Sequence, residues 1–329
     1  MAARVSGQAL PAAGVVDRLS APSAGAVVCI GAAHIDRIAR CQDQFVRGSS
    51  NPVTVAEAAG GVARNVAANL TRLGREVALV SAVGRDAKGE ALMAALARED
   101  IDVSAVLSCA ELPTASYTAI LEPGGELVAG LSDAAIYETL DPALIANLAD
   151  RFAETPGWVV DANLPGESLS ALNPPGRLFA CAVSPAKVGR LSPCLRRIEA
   201  LFANRAEVAA LSGRAVGSPE DALAAGQALR ESGLGSAFVT LGSEGVAVAA
   251  EGASAIWPAL PSAVRDVNGA GDAFAAGVID GLVGGAALGD AVGRGLAMAS
   301  LAAECDGPVT PALDLGALAA RAAGAKARA

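Results

Sequence analysis

The sequence is poor in the side chains that build most metal centres and disulfide frameworks. A single histidine, His34, excludes any mechanism or metal site that needs two imidazole rings. Six cysteines are scattered without a CxxC pair, so neither a zinc site nor a disulfide framework is indicated, and we expect reduced thiols. Positive charge is also scarce, because 25 basic residues against 34 acidic ones give a formal net charge of -9. That balance disfavours nonspecific binding to nucleic acid or to anionic membranes.

Long uninterrupted apolar runs are missing as well. Residues 1–24 lack the compact apolar stretch and the cleavage site of a secretory signal, so we expect a loose tail on a cytoplasmic protein. Residues 269–303 are rich in Ala and Gly, but three aspartates and one arginine interrupt them too often for a membrane-spanning helix. The sequence therefore predicts no membrane segment.

The chain nevertheless has enough apolar residues for a large core. Of its 329 residues, 53% are hydrophobic and 18% are charged, which argues against disorder over most of the chain. Short apolar runs alternate with helical patterns, and this predicts an α/β fold with a doubly wound, mostly parallel sheet over residues 25–315, followed by a tail at 316–329. Ligands then bind at the carboxyl ends of the strands. The predicted strands lie near residues 26–30, 77–83, 158–160, 178–183, 200–202 and 237–241.

Two segments depart from this alternation. Residues 36–57 and 116–128 contain short extended pieces punctuated by Pro, Gly and Ser, without helical periodicity. The run Pro123-Gly124-Gly125 is a good turn signal, so the second segment is predicted to be a hairpin. Together the two segments are expected to form a small separate sheet that acts as a lid.

The strongest local signal for chemistry is the run Asp266-Val267-Asn268-Gly269-Ala270-Gly271-Asp272, which leads into a helical run of small residues. Glycines let the loop turn tightly into the helix, and the N–H groups of Gly269, Ala270 and Gly271 would then point at one spot at the helix N-terminus. The helix dipole favours negative charge there. This pattern predicts an anion hole suited to a transferring phosphoryl group.

Asp272 has two possible roles in such a loop. It could be a carboxylate that merely caps the helix, which is the usual reading of an arbitrary Gly-rich turn. Beside an anion hole, however, a carboxylate stands where a base must accept the proton of an attacking hydroxyl. We therefore predict that Asp272 is the general base.

These residues resemble the ribokinase-like (PfkB) family of carbohydrate and nucleoside kinases, whose C-terminal signature has the form Asp-Thr-x-Gly-Ala-Gly-Asp, with Val267 here in place of Thr. The N-terminal signature is similar at residues 60–65, with a further match at residues 84–89, and the resemblance spans residues 27–311. It implies a ribokinase-like fold and transfer of the terminal phosphate of ATP to a hydroxyl of a small sugar or nucleoside.

The resemblance also implies roles for individual residues on the acceptor side. Asp36 would bind sugar hydroxyls, Gly60 and Gly61 would bring backbone against the sugar, and Asn65 would hydrogen-bond another hydroxyl. Asn163 is expected among the substrate contacts. For the two glycines the alternative is an ordinary turn.

On the nucleotide side, the run Asn204-Arg205-Ala206-Glu207 matches the family's Asn-x-x-Glu motif, in which Glu207 would hold Mg²⁺ through water. Taken alone, such a tetrapeptide is usually a solvated helix start. The nucleotide is expected to contact Asn204, Thr240, Gly242, Gly245 and, more distally, Ser300. A potassium ion near Asp266 and Asn268 is a further family expectation.

Within the family, the chain resembles the pseudouridine kinases through residues 31–36, where His34 replaces their Asn, and through residues 60–70. This implies phosphorylation of the 5′-hydroxyl of pseudouridine, whose uracil needs polar partners. The side chains expected to supply them are Asn51, Thr114 and Ser116. Thr and Ser in a hairpin are also common as plain strand formers, so this remains an open alternative.

Two alternative functions also fit the sequence and are considered next. A ribokinase, or another sugar or nucleoside kinase, would use the same machinery with a different lid. A catalytically silent binding regulator would be favoured by loss of the base or of the anion hole, but both are present. The lid strands also suggest a homodimer, because exposed strand edges pair readily.

Overall fold

The computed structural model describes residues 26–328, so the tail predicted for residues 1–24 lies outside the described residues. Alternating strands and helices run through this part of the chain, as the sequence pattern predicts. The helices are α1 (Val62–Arg72), α2 (Ala87–Ala97), α3 (Pro142–Arg151), α4 (Gly166–Ala171), α5 (Arg205–Ser212), α6 (Pro219–Glu231), α7 (Ala270–Val283), α8 (Leu288–Ala303) and α9 (Leu315–Ala322). The strands are β1 (Val27–Ile30), β2 (His34–Cys41), β3 (Val53–Gly60), β4 (Val77–Val80), β5 (Ala82–Gly84), β6 (Leu107–Cys109), β7 (Ser116–Leu121), β8 (Leu127–Asp133), β9 (Gly157–Asp161), β10 (Arg177–Cys181), β11 (Ile198–Asn204), β12 (Ser236–Thr240), β13 (Val246–Ala249) and β14 (Ala255–Trp257).

The main sheet has eight strands in the order β14-β13-β12-β11-β10-β9-β1-β4. Neighbouring strands from β4 across to β12 pair in parallel, whereas β12, β13 and β14 form antiparallel pairs at one edge. Strands β1 and β9 are buried along their whole length, as expected for parallel strands covered on both faces. The carboxyl ends of β9, β11 and β12 place Asp161, Asn204 and Thr240 along one edge.

Helices cover both faces of this sheet. On one face, α1, α7 and α8 contribute buried side chains such as Leu70, Phe274 and Val292 to a single apolar cluster. On the other face, α3 and α6 contribute Leu148 and Leu229 to a second cluster. This is the doubly wound arrangement predicted from the sequence, and it positions the N-termini of α1 and α7 at the carboxyl edge of the strands.

A smaller sheet has the strand order β3-β2-β7-β8. It contains the two segments that lacked helical periodicity, which confirms the prediction of a separate small sheet. Strands β7 and β8 pair antiparallel around the turn of residues 122–126, so the hairpin is confirmed too. Because β2 follows β1 after a short loop, this sheet adjoins the carboxyl edge of the main sheet.

Three details differ from the sequence prediction. The apolar run 77–83 is two strands, with β4 in the main sheet and β5 paired with β6 in a two-stranded one. The hairpin of β13 and β14 was not predicted. The tail expected from residue 316 onward instead contains most of α9, which packs on α8 and buries Leu318. Among the described residues, no helix is long and apolar enough to cross a membrane.

Candidate active site

The N-terminus of α7 is built by a glycine that no other residue replaces easily. Gly269 has a φ of 73° and begins the helix, and a Cβ on it would lie 2.1 Å from the carbonyl oxygen of Pro308. The N–H group of Ala270 donates to the Val267 carbonyl at 3.2 Å, so it is not available to an anion. This corrects the expectation of three open N–H groups. The N–H groups of the first turn that have no partner within the helix, and could therefore meet an anion, are those of Gly271 and Asp272.

Asp272 lies in that first turn and is half-buried. Its Oδ2 accepts a hydrogen bond of 2.8 Å from Nδ2 of Asn65, on α1. Burial raises the pKa of Asp272 to about 7, an effect opposed by the Asn65 hydrogen bond and reinforced by the carboxylates of Asp161, Asp36 and Glu207. A carboxylate with a pKa near the working pH has the property that a general base needs.

One cavity brings several of the expected residues together. Its wall includes Gly271 and Asp272 of α7, Asn204 and Glu207 at the junction of β11 and α5, and Thr240 at the end of β12. Cys181 at the end of β10 lines it too, so three neighbouring strand ends and one helix N-terminus face the same space. This cavity could hold phosphate groups between the base and the nucleotide side.

Asn204 and Glu207 form a capping box at the start of α5. The Asn204 side chain accepts from the Glu207 N–H at 2.9 Å, and Glu207 Oε2 accepts from the Asn204 N–H at 2.7 Å. Glu207 is only 6% exposed, which is inconsistent with a merely solvated helix start, and burial raises its pKa. The box fixes the carboxylate at the wall of the cavity while leaving it further acceptor capacity.

The acceptor side is centred on Asp36 of β2. A Cβ on Gly60 would lie 1.9 Å from Asp36 Oδ2, and a Cβ on Gly61, whose φ is 101°, would lie 2.3 Å from the Ala32 carbonyl oxygen. Gly60 therefore permits a close approach of backbone to the Asp36 carboxylate, and Gly61 a close approach to the backbone of Ala32. Nε2 of His34 lies 3.0 Å from Asp36 Oδ1 and thereby helps to orient it.

Tyr137 is a residue of this region that no sequence motif indicated. It is buried in a short 3-10 helix, its hydroxyl donates to the Ala33 carbonyl at 3.0 Å, and it lies 3.3 Å from Nδ1 of His34. A chain of polar contacts thus runs from Tyr137 through His34 to Asp36. Nothing in the spacing of these residues along the chain signals it.

Asp161 is a second residue that sequence reasoning missed. It ends β9, is fully buried, and accepts hydrogen bonds from the N–H groups of Ala32 at 2.9 Å, Ala63 at 3.0 Å and Asn163 at 2.8 Å. Burial raises its pKa, an effect opposed by these hydrogen bonds. Asp161 therefore ties the loop after β1 to the start of α1. An aspartate directly after an apolar strand was the available signal.

Asn163 lies beside Asp161 but is already engaged. Its Oδ1 accepts from Nζ of Lys187 at 2.6 Å, and its side chain also hydrogen-bonds to Asp161. The expected substrate contact is thus a residue that supports Asp161. Burial lowers the pKa of Lys187, and Arg190 is a second cation beside it, donating to the Asn163 carbonyl at 2.9 Å.

Three other residues expected to contact the substrate, Thr114, Asn51 and Ser116, do not line the cavity beside Asp272. Thr114 is buried with its hydroxyl committed to Asp86 at 2.6 Å, and Asn51 is bonded to the backbone of Val46. Asn51 lines a separate cavity of the small sheet. Ser116 is half-buried at the start of β7.

The residues expected to contact the nucleotide farther from Asp272 also have structural partners nearby. The Ser300 hydroxyl lies 2.9 Å from that of Ser262 and accepts from Arg321 at 2.8 Å, so it joins α8 to α9. Gly245 has a φ of 101°, and a Cβ there would lie 1.9 Å from the Trp257 carbonyl oxygen. Gly242, with a φ of 61°, lies in the adjoining turn. These contacts connect structural elements and do not by themselves indicate a nucleotide.

The expected potassium site finds little support in Asp266. Its Oδ1 accepts from the Asn268 N–H at 2.9 Å and its Oδ2 from the Gly307 N–H at 3.2 Å, so both oxygens hold the loop. Between residues 26 and 328, no group of three or more His, Cys, Asp or Glu side chains is arranged to hold a metal ion.

Asp272 with its raised pKa, the N-terminus of α7 and the cavity lie together at the carboxyl edge of a doubly wound sheet, an arrangement that suits transfer of a phosphoryl group to a hydroxyl. Residues 25–314 match the family model described as pfkB family carbohydrate kinase. The chain belongs to this family.

Individual relatives agree with this assignment. The chain is 30% identical over 295 residues to the pseudouridine kinase of Escherichia coli, covering 88% of this chain and 94% of that protein. A solved carbohydrate kinase from Agrobacterium tumefaciens superposes with a TM-score of 0.78 at 31% identity, covering 90% of this chain and 96% of that one. Arabidopsis thaliana ribokinase, solved with ribose and ATP, gives a TM-score of 0.80 at 21% identity, covering 92% and 99%, which shows the shared fold. The predicted ribokinase-like fold is confirmed.

Proposed function

We propose that this enzyme transfers the γ-phosphate of ATP to the 5′-hydroxyl of pseudouridine. The observation that carries the kinase chemistry is the placement of Asp272 at the N-terminus of α7, hydrogen-bonded by Asn65 and facing the same cavity as Glu207. The choice of acceptor is supported by the relative from Escherichia coli, which matches along nearly its whole length.

In this proposal Asp272 accepts the proton of the 5′-hydroxyl while the first turn of α7 stabilises the transferring phosphoryl group. Its pKa of about 7 means that much of the carboxylate is ionised at neutral pH. Asp36 and the backbone at Gly60 and Gly61 would hold the ribose. Such positioning accounts for much of the catalysis in phosphoryl transfer, because the reacting oxygens must lie in line.

The cavity residues fit a nucleotide with magnesium. Mg²⁺ is usually held by one or two carboxylates together with substrate phosphates and water, and Glu207 is a buried carboxylate at the cavity wall. Bound there, the ion would neutralise phosphate charge. Asn204 and Thr240 line the same wall and would lie on the nucleotide side.

The first prediction concerns the acceptor. We expect kcat/KM for pseudouridine to exceed that for uridine about tenfold to hundredfold, because a polar partner left unpaired by uridine costs roughly 1–3 kcal/mol. The two nucleosides share ribose and nearly the same base outline. Pseudouridine alone carries a second free ring N–H group. Both kcat/KM values are measured from ATP consumption at a saturating ATP concentration.

The same assay includes uridine, adenosine, free ribose and fructose as competing acceptors. A higher kcat/KM for ribose or uridine would refute the pseudouridine assignment and leave the kinase assignment standing. Absence of turnover with every acceptor would favour the silent regulator instead.

The second prediction concerns Glu207. We expect Glu207→Gln to raise the Mg²⁺ concentration needed for half-maximal rate while the KM for the acceptor barely moves, because the carboxylate would act through the water shell of the metal. Glutamine keeps an oxygen for the capping box with Asn204, so the start of α5 should stay folded. A Mg²⁺ titration and an acceptor titration on the same preparation separate the two effects. An unchanged Mg²⁺ titration with a much larger acceptor KM would contradict this role.

A homodimer formed through the small sheet is part of the proposal. Val53, Val55 and Leu131 are exposed on its strands. They pair with Cys41, Ala39 and Thr118 respectively, and the register of β2 with β7 puts all three pairs on one face. A cytoplasmic location is likewise proposed, supported by six free cysteines.

A further inference from the structure

Arg64 is a buried cation to which the catalytic proposal gives no role. It precedes Asn65 on α1 and is 5% exposed. Its Nη1 donates to Asn65 Oδ1 at 3.1 Å and to the Ala59 carbonyl at 3.2 Å, and its Nη2 donates to the Glu99 carboxylate. A continuous chain of hydrogen bonds therefore runs from Glu99 through Arg64 and Asn65 to Asp272.

The chemistry of this chain fixes the direction of the Asn65 amide. A guanidinium group has only donors, so the end of the amide that faces Arg64 is its oxygen. The NH₂ end is then the one that faces Asp272, and it donates to the carboxylate at 2.8 Å. If the amide were turned over, its oxygen would face Asp272, and only a protonated carboxyl group could bond to it.

We propose that Arg64 is a positioning residue that holds the Asn65 amide with its NH₂ group toward Asp272 and so keeps the base ionised. This rests on the proposed role of Asp272 as the base. Arg64 is not among the residues that line the cavity beside Asp272. It acts through Asn65 alone.

The charges around Asp272 explain why the direction of one amide matters. Asp36 on β2, Asp161 on β9 and Glu207 on α5 all raise the pKa of Asp272, as does its burial, whereas the Asn65 hydrogen bond lowers it. The buried thiol of Cys181 on β10 is the other titratable group nearby. Asn65 is thus the neighbour that favours the ionised form.

The third prediction is the test of this inference. In Arg64→Met, a side chain of similar reach with no donors, we expect the pKa of Asp272 to rise by roughly one to two pH units, the equivalent of one hydrogen bond to a charged group. The pKa is measured by ¹³C NMR titration of aspartate carboxyl groups in the substrate-free protein, with Asp272→Asn identifying the signal. The acid limb of kcat/KM should move to higher pH by the same amount.

A matched control comes from the same helix. Arg72 lies 3.9 Å from Glu99 and donates to the Ala68 carbonyl, but it has no contact with Asn65. Arg72→Met should therefore leave the pKa of Asp272 in place. Because Arg64→Met leaves Glu99 with only the more distant Arg72 as an ion-pair partner, the double variant Arg64→Met/Glu99→Gln is measured as well. It removes the poorly compensated charge, and we expect it to show the same pKa shift with a higher melting temperature.

A double-mutant cycle completes the test. Asn65→Leu alone should raise the pKa of Asp272, and adding Arg64→Met should raise it no further, because Arg64 acts through Asn65. An unchanged Asp272 pKa in the folded Arg64 variants would overturn the inference, and so would an equal shift in Arg72→Met. Since the NMR titration needs no turnover, a failed kinase assay would count against the proposed function without deciding this result.

Discussion

Replacing Asp272 with Asn should leave the protein folded and able to bind ATP while lowering kcat by about 10²–10⁴-fold, the usual loss on removing a general base. Asparagine has the shape of aspartate, and its Oδ1 can still accept the hydrogen bond that Asn65 donates at 2.8 Å. The contact between α1 and α7 is therefore preserved. What the variant loses is the acceptor for the proton of the attacking hydroxyl.

The control must distinguish two roles of Asp272, that of a general base and that of a carboxylate that only stabilises the helix N-terminus. Asp290 lies exposed in the first turn of α8, so Asp290→Asn makes the same charge change at a comparable position. Asp290→Asn should lose a small amount of melting temperature from the helix dipole. Asp272→Asn should instead keep or raise the melting temperature at neutral pH, because the raised pKa of Asp272 means that the folded protein disfavours its ionised form. Only Asp272→Asn should lose turnover, measured at saturating pseudouridine and ATP. Near wild-type kcat in Asp272→Asn would return Asp272 to the capping role.

The parts of the site that lie within one short segment were predictable from the sequence. The run from Asp266 to Asp272 and the run from Asn204 to Glu207 each join a strand or loop to a helix, so neighbours in sequence are neighbours in space. The alternation of apolar runs with helical patterns likewise predicts the parallel sheet, and with it the edge at which these segments meet.

Contacts between distant segments were not predictable in this way. Asn65 and Asp272 are 207 positions apart, and their hydrogen bond depends on how α1 packs against α7. Asp161 accepts from backbone groups of the loop after β1 and of α1, which lie about a hundred positions earlier. Periodicity and motif spacing carry no information about such pairs, although a carboxylate at the end of a buried strand is a signal to follow.

The polar residues expected to contact the nucleobase have local hydrogen-bond partners in the structure, which the sequence did not indicate. Thr114 matched the expectation by residue type and approximate position, but its hydroxyl closes the turn at Gly84 and Asp86. Asn51 stabilises its own loop through Val46. Short polar side chains bond readily to nearby backbone, so residue type alone overestimates how many of them reach a ligand.

Gly269→Ala should abolish most activity without removing any functional group. The φ of 73° at Gly269 costs an alanine roughly 1–2 kcal/mol, and its Cβ would lie 2.1 Å from the Pro308 carbonyl oxygen, so the loop has to move. That movement displaces the first turn of α7, which carries both the anion hole and Asp272. Since loss of one well-placed donor costs about 10²–10³ in rate, we expect a fall in kcat of at least that size.

The other end of α7 offers a matched control. Gly285 has a φ of 78°, close to that of Gly269, but a Cβ there meets nothing within 4 Å. Gly285→Ala should therefore show the stability loss that comes from backbone strain and keep its turnover, whereas Gly269→Ala should lose both. Thermal melting and kcat measured on the two proteins separate strain from displacement. Equal kcat values in the two variants would show that turnover does not depend on the packing of Gly269 against Pro308. The anion hole would then have to be assigned to another part of the structure.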